Sequence, residues 1–300
     1  MLVIGAAAAA GIAFVVLRRP PSLEMKVPGP CEIRQVISYP DTELPPAPPN
    51  HRVHRYDTEG RLVQIQRKNE GGSLTQTTRN AYDDAGNHIL EERTRHGPIQ
   101  VTAADGTTTT VTDQLKRSRW TYDDAGRTLT QIFDEGEGTA PTLQTTYAYD
   151  AKGHHHSSHT EREGGKSSDT DYEVDAQGRV LALQARGKGH PMQTYTYDAQ
   201  GKVLKEVEDY DNDGNANRTI ERSYDEAGRQ TRAVETLSYG PGMQERREQT
   251  WTYDEAGNTL EQRERLLESP DGGSLLVVET YDYSCWSVKD GVATDERGTL

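Results

Sequence analysis

The stretch Asp209-Tyr210-Asp211-Asn212-Asp213-Gly214-Asn215 carries the densest chemistry in this 300-residue chain. Three aspartates at alternate positions, with glycine next, present hard oxygen ligands at the spacing that opens a calcium loop. Asn215 adds a backbone carbonyl and Asn217 a later ligand. A helix-flanked calcium loop would close with glutamate at its twelfth position, but Ile220 stands there and Glu221 is thirteenth. The flanks also read as strands. Two readings stay open: a hairpin-tip Ca2+ site built from Asp209, Asp211, Asp213, Asn215, Asn217 and Glu221, or a solvated acidic turn. No cofactor is required, and Ca2+ is the one suggested. His154, His155, His156 and His159 form a second cluster. On a strand they split into two pairs facing opposite ways, too few ligands per face for a four-coordinate zinc site.

Cys31 and Cys285 are the only cysteines. In an oxidising compartment they can pair as a disulfide. A flat sheet of about sixteen strands at ~4.8 Å spacing would hold its ends about 75 Å apart. Pairing therefore needs the Cys31 strand to travel to the far end, or the sheet to curl. Lipidation of Cys31 fits poorly, because Pro28-Gly29-Pro30 lacks the apolar and small residues expected before such a cysteine. No zinc-protease, phosphate-loop, nucleophile-elbow or C-x-x-C motif occurs, and no carboxylate pair stands out for acid/base work. The chain reads as a non-enzyme.

Charge and composition narrow the class further. Only 32% of residues are hydrophobic, and the net charge is −14. Residues 27–300 carry 31 basic against 47 acidic side chains. Such a body lacks the cationic footprint that nucleic acid requires. Low hydrophobicity with high charge would suggest disorder, but 15 tyrosines against 2 phenylalanines, together with an internal repeat, argue for folding.

Leu2 to Leu17 is an uncharged apolar run. At ~1.5 Å per residue a helix of that length spans about 24 Å, which suits a signal peptide or short anchor. Residues 1–19 are read so. Arg18 and Arg19 follow the run and no basic residue precedes it, which by the positive-inside rule would favour a cytoplasmic body. Export is nonetheless the expectation, from the linker and repeats described next. Residues 20–50 form a proline-rich linker holding nine of the fourteen prolines, interrupted by one strand-like stretch, Cys31–Tyr39.

One motif recurs eight times: YDTEGR from Tyr56, YDDAGN from Tyr82, YDDAGR from Tyr122, YDAKGH from Tyr149, VDAQGR from Val174, YDAQGK from Tyr197, YDEAGR from Tyr224 and YDEAGN from Tyr253. Its invariant pairs are Asp57 and Gly60, Asp83 and Gly86, Asp123 and Gly126, Asp150 and Gly153, Asp175 and Gly178, Asp198 and Gly201, Asp225 and Gly228, Asp254 and Gly257. Aspartate opening a reverse turn accepts amide hydrogen bonds, and glycine three residues on takes the left-handed conformation. Period-two alternation on both sides reads as strand. A second turn signal, often with proline, falls between successive motifs. Each repeat is thus one strand out and one strand back. The 40-residue second repeat holds a longer hairpin around Ala104-Asp105-Gly106.

These motifs resemble the YD repeats of the RHS family over residues 51–286. The resemblance implies an extracellular or envelope protein of winding β-hairpins. The chain departs from large members in having few repeats, no RHS core signature and no toxin domain. The expected fold is all-β: an extended, curved antiparallel sheet of about sixteen strands, a partial spiral at most, followed by a polar tail at 287–300. The expected role is an envelope-tethered or secreted YD-repeat binding protein that presents its sheet to glycan or protein ligands. The membrane contact runs through the N-terminal segment. The alternatives are an accessory of an RHS-type toxin or secretion system, and a hydrolase working from hairpin tips.

Overall fold

The computed structural model describes residues 26–40, 46–102, 108–135, 141–187, 191–211, 213–240, 242–270, 272–289 and 292–295. The apolar segment 1–19 and the Ala104-Asp105-Gly106 turn lie outside the described residues. Eighteen strands form one sheet: β1 (Glu32–Ser38), β2 (Ala47–Tyr56), β3 (Leu62–Lys68), β4 (Leu74–Tyr82), β5 (His88–Thr102), β6 (Thr108–Tyr122), β7 (Thr128–Glu135), β8 (Leu143–Tyr149), β9 (His155–Arg162), β10 (Lys166–Val174), β11 (Val180–Ala185), β12 (Gln193–Tyr197), β13 (Val203–Glu208), β14 (Arg218–Tyr224), β15 (Gln230–Gly240), β16 (Met243–Tyr253), β17 (Thr259–Glu268) and β18 (Leu276–Asp282). A separate two-stranded hairpin, β19 (Trp286–Lys289) and β20 (Val292–Asp295), follows, beginning one residue before the stretch 287–300 that reads as a polar tail.

Each motif builds the same turn. At Asp225, the backbone N–H donates to the Arg229 carbonyl at 2.9 Å, and Gly228 N–H donates to the Asp225 carbonyl at 2.8 Å. The Asp225 carboxylate accepts the Arg229 amide at 2.8 Å and its Nε at 2.7 Å. Gly228 sits at φ 79°, and the register shifts between Ser223 and Tyr224. This is a type I turn closed by a left-handed glycine in a β-bulge, a hairpin connection that suits the natural twist of the strands.

Successive repeats are then tied together by the motif tyrosines. Tyr82, Tyr122, Tyr149, Tyr197, Tyr224 and Tyr253 each donate a phenolic hydrogen bond to a backbone carbonyl of the preceding repeat, at 2.7–3.0 Å. The acceptor is always the sixth residue after the previous motif's first position, for example Val203 for Tyr224. Tyr283 continues the series by donating to Thr259 O at 2.8 Å. Val174 breaks it, and His155 fills the gap by stacking among Tyr149 and Tyr172. The motif's basic side chain adds a second tie. Arg61, Arg127, Arg179, Lys202 and Arg229 lie over the next repeat's tyrosine ring at 4.9–5.4 Å.

The open sheet or partial spiral of about sixteen strands expected from the repeats is overturned: the sheet is a closed antiparallel barrel of eighteen. The closing element is β1, the strand-like stretch inside the proline-rich linker. It pairs with β18 on one side and β2 on the other. Closure pairs every strand twice and removes the two exposed edges that an open sheet would carry. Cys31 N–H donates to Asp282 O at 2.7 Å, His54 N–H donates to Cys31 O at 2.8 Å, and Cys31 is disulfide-bonded to Cys285 with Cα atoms 5.8 Å apart. Both routes envisaged for that pairing are used together: the sheet curls, and the Cys31 strand sits at the seam.

Among the described residues, the one buried hydrophobic cluster also lies at this seam, formed by Val27, Cys31, Tyr56, Tyr283, Cys285 and Trp286. Trp286 Nε1 donates to Gly29 O at 2.7 Å, and Tyr56 Oη donates to Pro30 O at 3.0 Å. Elsewhere the wall is a single layer, and among the described residues no large side chain is fully buried. That explains how a chain with 32% hydrophobic residues folds. Barrels of about sixteen to eighteen strands are wide enough to leave an aqueous interior.

Two outcomes test this architecture. Gly86 has φ 86°, and a Cβ added there would meet nothing within 4 Å. Gly86→Ala should therefore lower stability by about 1–2 kcal/mol through backbone strain alone, read as a shift in denaturant midpoint. Replacing both Cys31 and Cys285 by serine should remove about 3–5 kcal/mol. Hydrogen exchange should then open β1 before β8; equal protection of the two strands would contradict the role of the seam.

Candidate binding site

The motif turns all lie at one end of the barrel, and the variable turns at the other. At that variable end, the β13–β14 loop is folded on its own polar groups. Asp209 is 5% exposed. Its carboxylate accepts Asp213 N–H at 3.2 Å and Gly214 N–H at 2.8 Å. Asp213 accepts the backbone amide of Asn215 at 2.7 Å and its Nδ2 at 2.9 Å. Asn217 Oδ1 accepts Tyr210 N–H at 2.6 Å.

Carboxylate oxygens of Asp209, Asp211 and Asp213 lie within 4.8 Å of one another, with Asp211 and Asp213 exposed. Three hard oxygens so placed can hold a divalent cation. Of the other residues of the expected set, Asn215 donates to Asp213 through its backbone amide and Nδ2. Asn217 is committed to bracing the loop, and Glu221 lies within β14, opposite Lys205, whose Nζ is 3.3 Å away. The histidines do not converge either. His154 faces Asp150 at 3.6 Å and His159 faces Asp169 at 2.9 Å. His155 is packed among tyrosine rings, and that burial lowers its pKa.

A groove of about 620 Å³ runs between this loop and the β15–β16 tip. Asp211, Asp213, Asn215 and Asn217 form one wall, and Ser238, Tyr239, Gly240, Gly242 and Gln244 the other. Tyr239 is 57% exposed, and Tyr210 on the same loop as the aspartates is 66% exposed. Carboxylates, amides, a hydroxyl and an open aromatic face can hydrogen-bond and stack on a polyhydroxylated ligand. The sequence pattern located the aspartates but not the groove. Its second wall comes from the next hairpin, about 25 residues on, and only strand pairing makes the two tips neighbours. The available signal was Ser238-Tyr239-Gly240, an aromatic at a turn where nothing local would bury it.

Both faces of the wall are charged. The tyrosine-bearing face holds the pairs Arg222–Glu206 and Arg218–Glu208, and the opposite face holds Arg232–Glu248 and Arg265–Glu248. No described helix is long and apolar enough to cross a membrane.

No family model matches the chain, and no curated protein matches it. Among solved structures it is similar to the TcdB2-TccC3 crystal structure without the hypervariable C-terminal region, at 15% identity and TM-score 0.29, over 85% of this chain and 16% of that one. A Photorhabdus luminescens Tc holotoxin pore carrying a TccC3 mutation matches at 15% identity and TM-score 0.29, over 77% of this chain and 15% of that one. A porin-like protein from Bacteroides uniformis matches at 10% identity and TM-score 0.34, over 86% of this chain and 98% of that one. The chain thus spans about one sixth of the toxin-component chains it matches.

Burial raises the pKa of the ladder tyrosines Tyr82, Tyr122, Tyr149, Tyr197, Tyr224 and Tyr253. For Tyr195, burial and then the Glu206 carboxylate push it from 10.0 up to about 12. A protonated phenol donates to its carbonyl and a phenolate cannot. With folded-state values raised above the ordinary phenol value of 10.0, the ladder's contribution is intact below pH 10.0 and is lost as pH rises through the raised values. Ultraviolet phenolate titration should therefore coincide with loss of β-sheet circular dichroism. Full ionisation with the sheet intact would refute the ladder.

Proposed function

We propose that this chain is a non-catalytic binding barrel of the cell envelope that engages glycan through the tip groove between the β13–β14 loop and the β15–β16 hairpin. The observation that carries the reading is the groove itself, with exposed Tyr239 facing a wall of carboxylates and amides. Ca2+ held by Asp209, Asp211 and Asp213 would neutralise that wall and offer open coordination positions to sugar hydroxyls. Outside the cell, calcium is abundant enough to fill a site of ~10⁻⁴–10⁻³ M affinity. The Cys31–Cys285 disulfide supports an oxidising compartment. The apolar N-terminal segment supports tethering, and charge on both faces supports a barrel beside the membrane instead of within it.

A second reading rests on the eight YD motifs and the RHS family they resemble: an accessory that assembles with a larger toxin or secretion partner. In it the variable tips would meet protein.

A glycan array probed with Ca2+ and with chelator separates these. Binding should appear in Ca2+ and weaken at least about tenfold in Tyr239→Ala or Asp211→Asn/Asp213→Asn, a loss of ~1.4 kcal/mol or more. An array blank for folded, calcium-loaded protein would defeat the glycan reading.

A further inference from the structure

The body carries 31 basic against 47 acidic side chains over residues 27–300, yet one part of its wall has the opposite sign. Residues directly opposite each other in a ladder share a face. Arg52 opposes Arg67, Arg67 opposes Gln76, Gln76 opposes Arg95, and Arg95 opposes Gln114. This row crosses β2 to β6, about 19 Å at ~4.8 Å per strand. Beside it, two residues along each strand, Thr78 opposes Arg93 and Arg93 opposes Lys116. All of these lie on the tyrosine-bearing face.

Five cations stand there against three carboxylates, and the carboxylates are already engaged. Arg52 pairs with Glu279, Arg93 with Glu91 and Lys116 with Glu135. Among the described residues, Arg67 and Arg95 have no carboxylate partner, and both side chains reach solvent. Arg67 is held below the ordinary guanidinium range, first by partial covering and then by the charges of Arg52 and Arg93, which outweigh the opposing pull of the Glu279 carboxylate. Cations that outnumber their carboxylates repel one another, and an anion laid across them relieves that repulsion.

We propose that the β2–β6 face is a binding surface for an acidic polysaccharide, one whose sulfate or carboxylate groups pair with Arg67 and Arg95. The site rests on the glycan-binding reading but is separate from the tip groove, on strands that do not adjoin β13–β16. Three features select this ligand class. The closed sheet leaves no free backbone edge on β2–β6, so an acidic peptide cannot add as a strand. The rows themselves hold guanidinium, ammonium, hydroxyl and amide groups, and the one ring beside them, Phe133, lies under Lys116, so no run of aromatic rings offers base stacking as in single-strand nucleic-acid channels. Guanidinium forks match planar carboxylate and sulfate oxygens in pairs.

The test uses the whole chain with dextran sulfate and neutral dextran as probes, by calorimetry at low and high salt. Dextran sulfate should bind, weaken steeply with salt, and lose about tenfold affinity in Arg67→Gln/Arg95→Gln. Arg67→Lys/Arg95→Lys, which keeps the charge but not the fork, should bind between the glutamine variant and the original chain, which separates charge from folding. Three results would overturn the proposal: unchanged binding in the glutamine variant, equal binding of neutral dextran, or single-stranded DNA binding tighter than dextran sulfate. Binding of dextran sulfate by a protein blank on neutral glycans would remove the groove reading and leave this one standing.

Discussion

The structure depends on one repeated bond, the phenolic hydrogen bond from a motif tyrosine to a backbone carbonyl of the preceding repeat. An antiparallel wall without a second layer has little apolar burial to keep its hairpins in order. The tyrosine supplies both parts of what is missing. Its ring covers apolar area between neighbouring turns, and its hydroxyl fixes the spacing from one turn to the next. A basic side chain above the ring, held by the motif aspartate, completes the unit; Arg229 on Asp225 and over Tyr253 shows all three contacts. Phenylalanine would give the ring without the donor, which fits 15 tyrosines against 2 phenylalanines.

Closure follows from a different kind of contact. Hydrogen bonding between repeats has no natural end, and an unclosed array would leave β2 and β18 as bare edges. The strand before the first repeat fills the interval and the disulfide joins it to the strand after the last. The hydrophobic cluster of Tyr56, Trp286 and their neighbours is small, but it sits where the barrel would otherwise part. Among the described residues, the one cluster of buried hydrophobic side chains is at the seam.

With the motif end taken up by near-identical turns, individuality is left to the variable end and to the wall's charges. The tip groove arises because adjacent repeats carry unlike turns, an acidic loop beside a glycine-rich tip with Tyr239. The wall is likewise uneven. Ion pairs such as Glu206 with Arg222 balance the later strands, while on the early ones cations outnumber their paired carboxylates, with Arg67 and Arg95 in no ion pair among the described residues. A barrel of this design can keep its frame constant while its contacts vary.

By itself the sequence determined what is local. The aspartate-to-amide bonds of each motif span four residues, so eight turns, their left-handed glycines, the strands on either side and the all-β class could be read directly, as could the aspartate trio Asp209, Asp211 and Asp213. Tertiary structure alone decided what is distant. The strand before the repeats pairs with residues about 240 positions away, as in Gln35 with Glu279, and no periodicity records that. Barrel or spiral therefore turned on β1, a short strand hidden among prolines. The same holds for function. Glu221 reads as a ligand by count along the chain, yet period-two geometry carries it along β14 away from the loop, while Gln244 and Tyr239 reach the groove only because neighbouring hairpins end side by side.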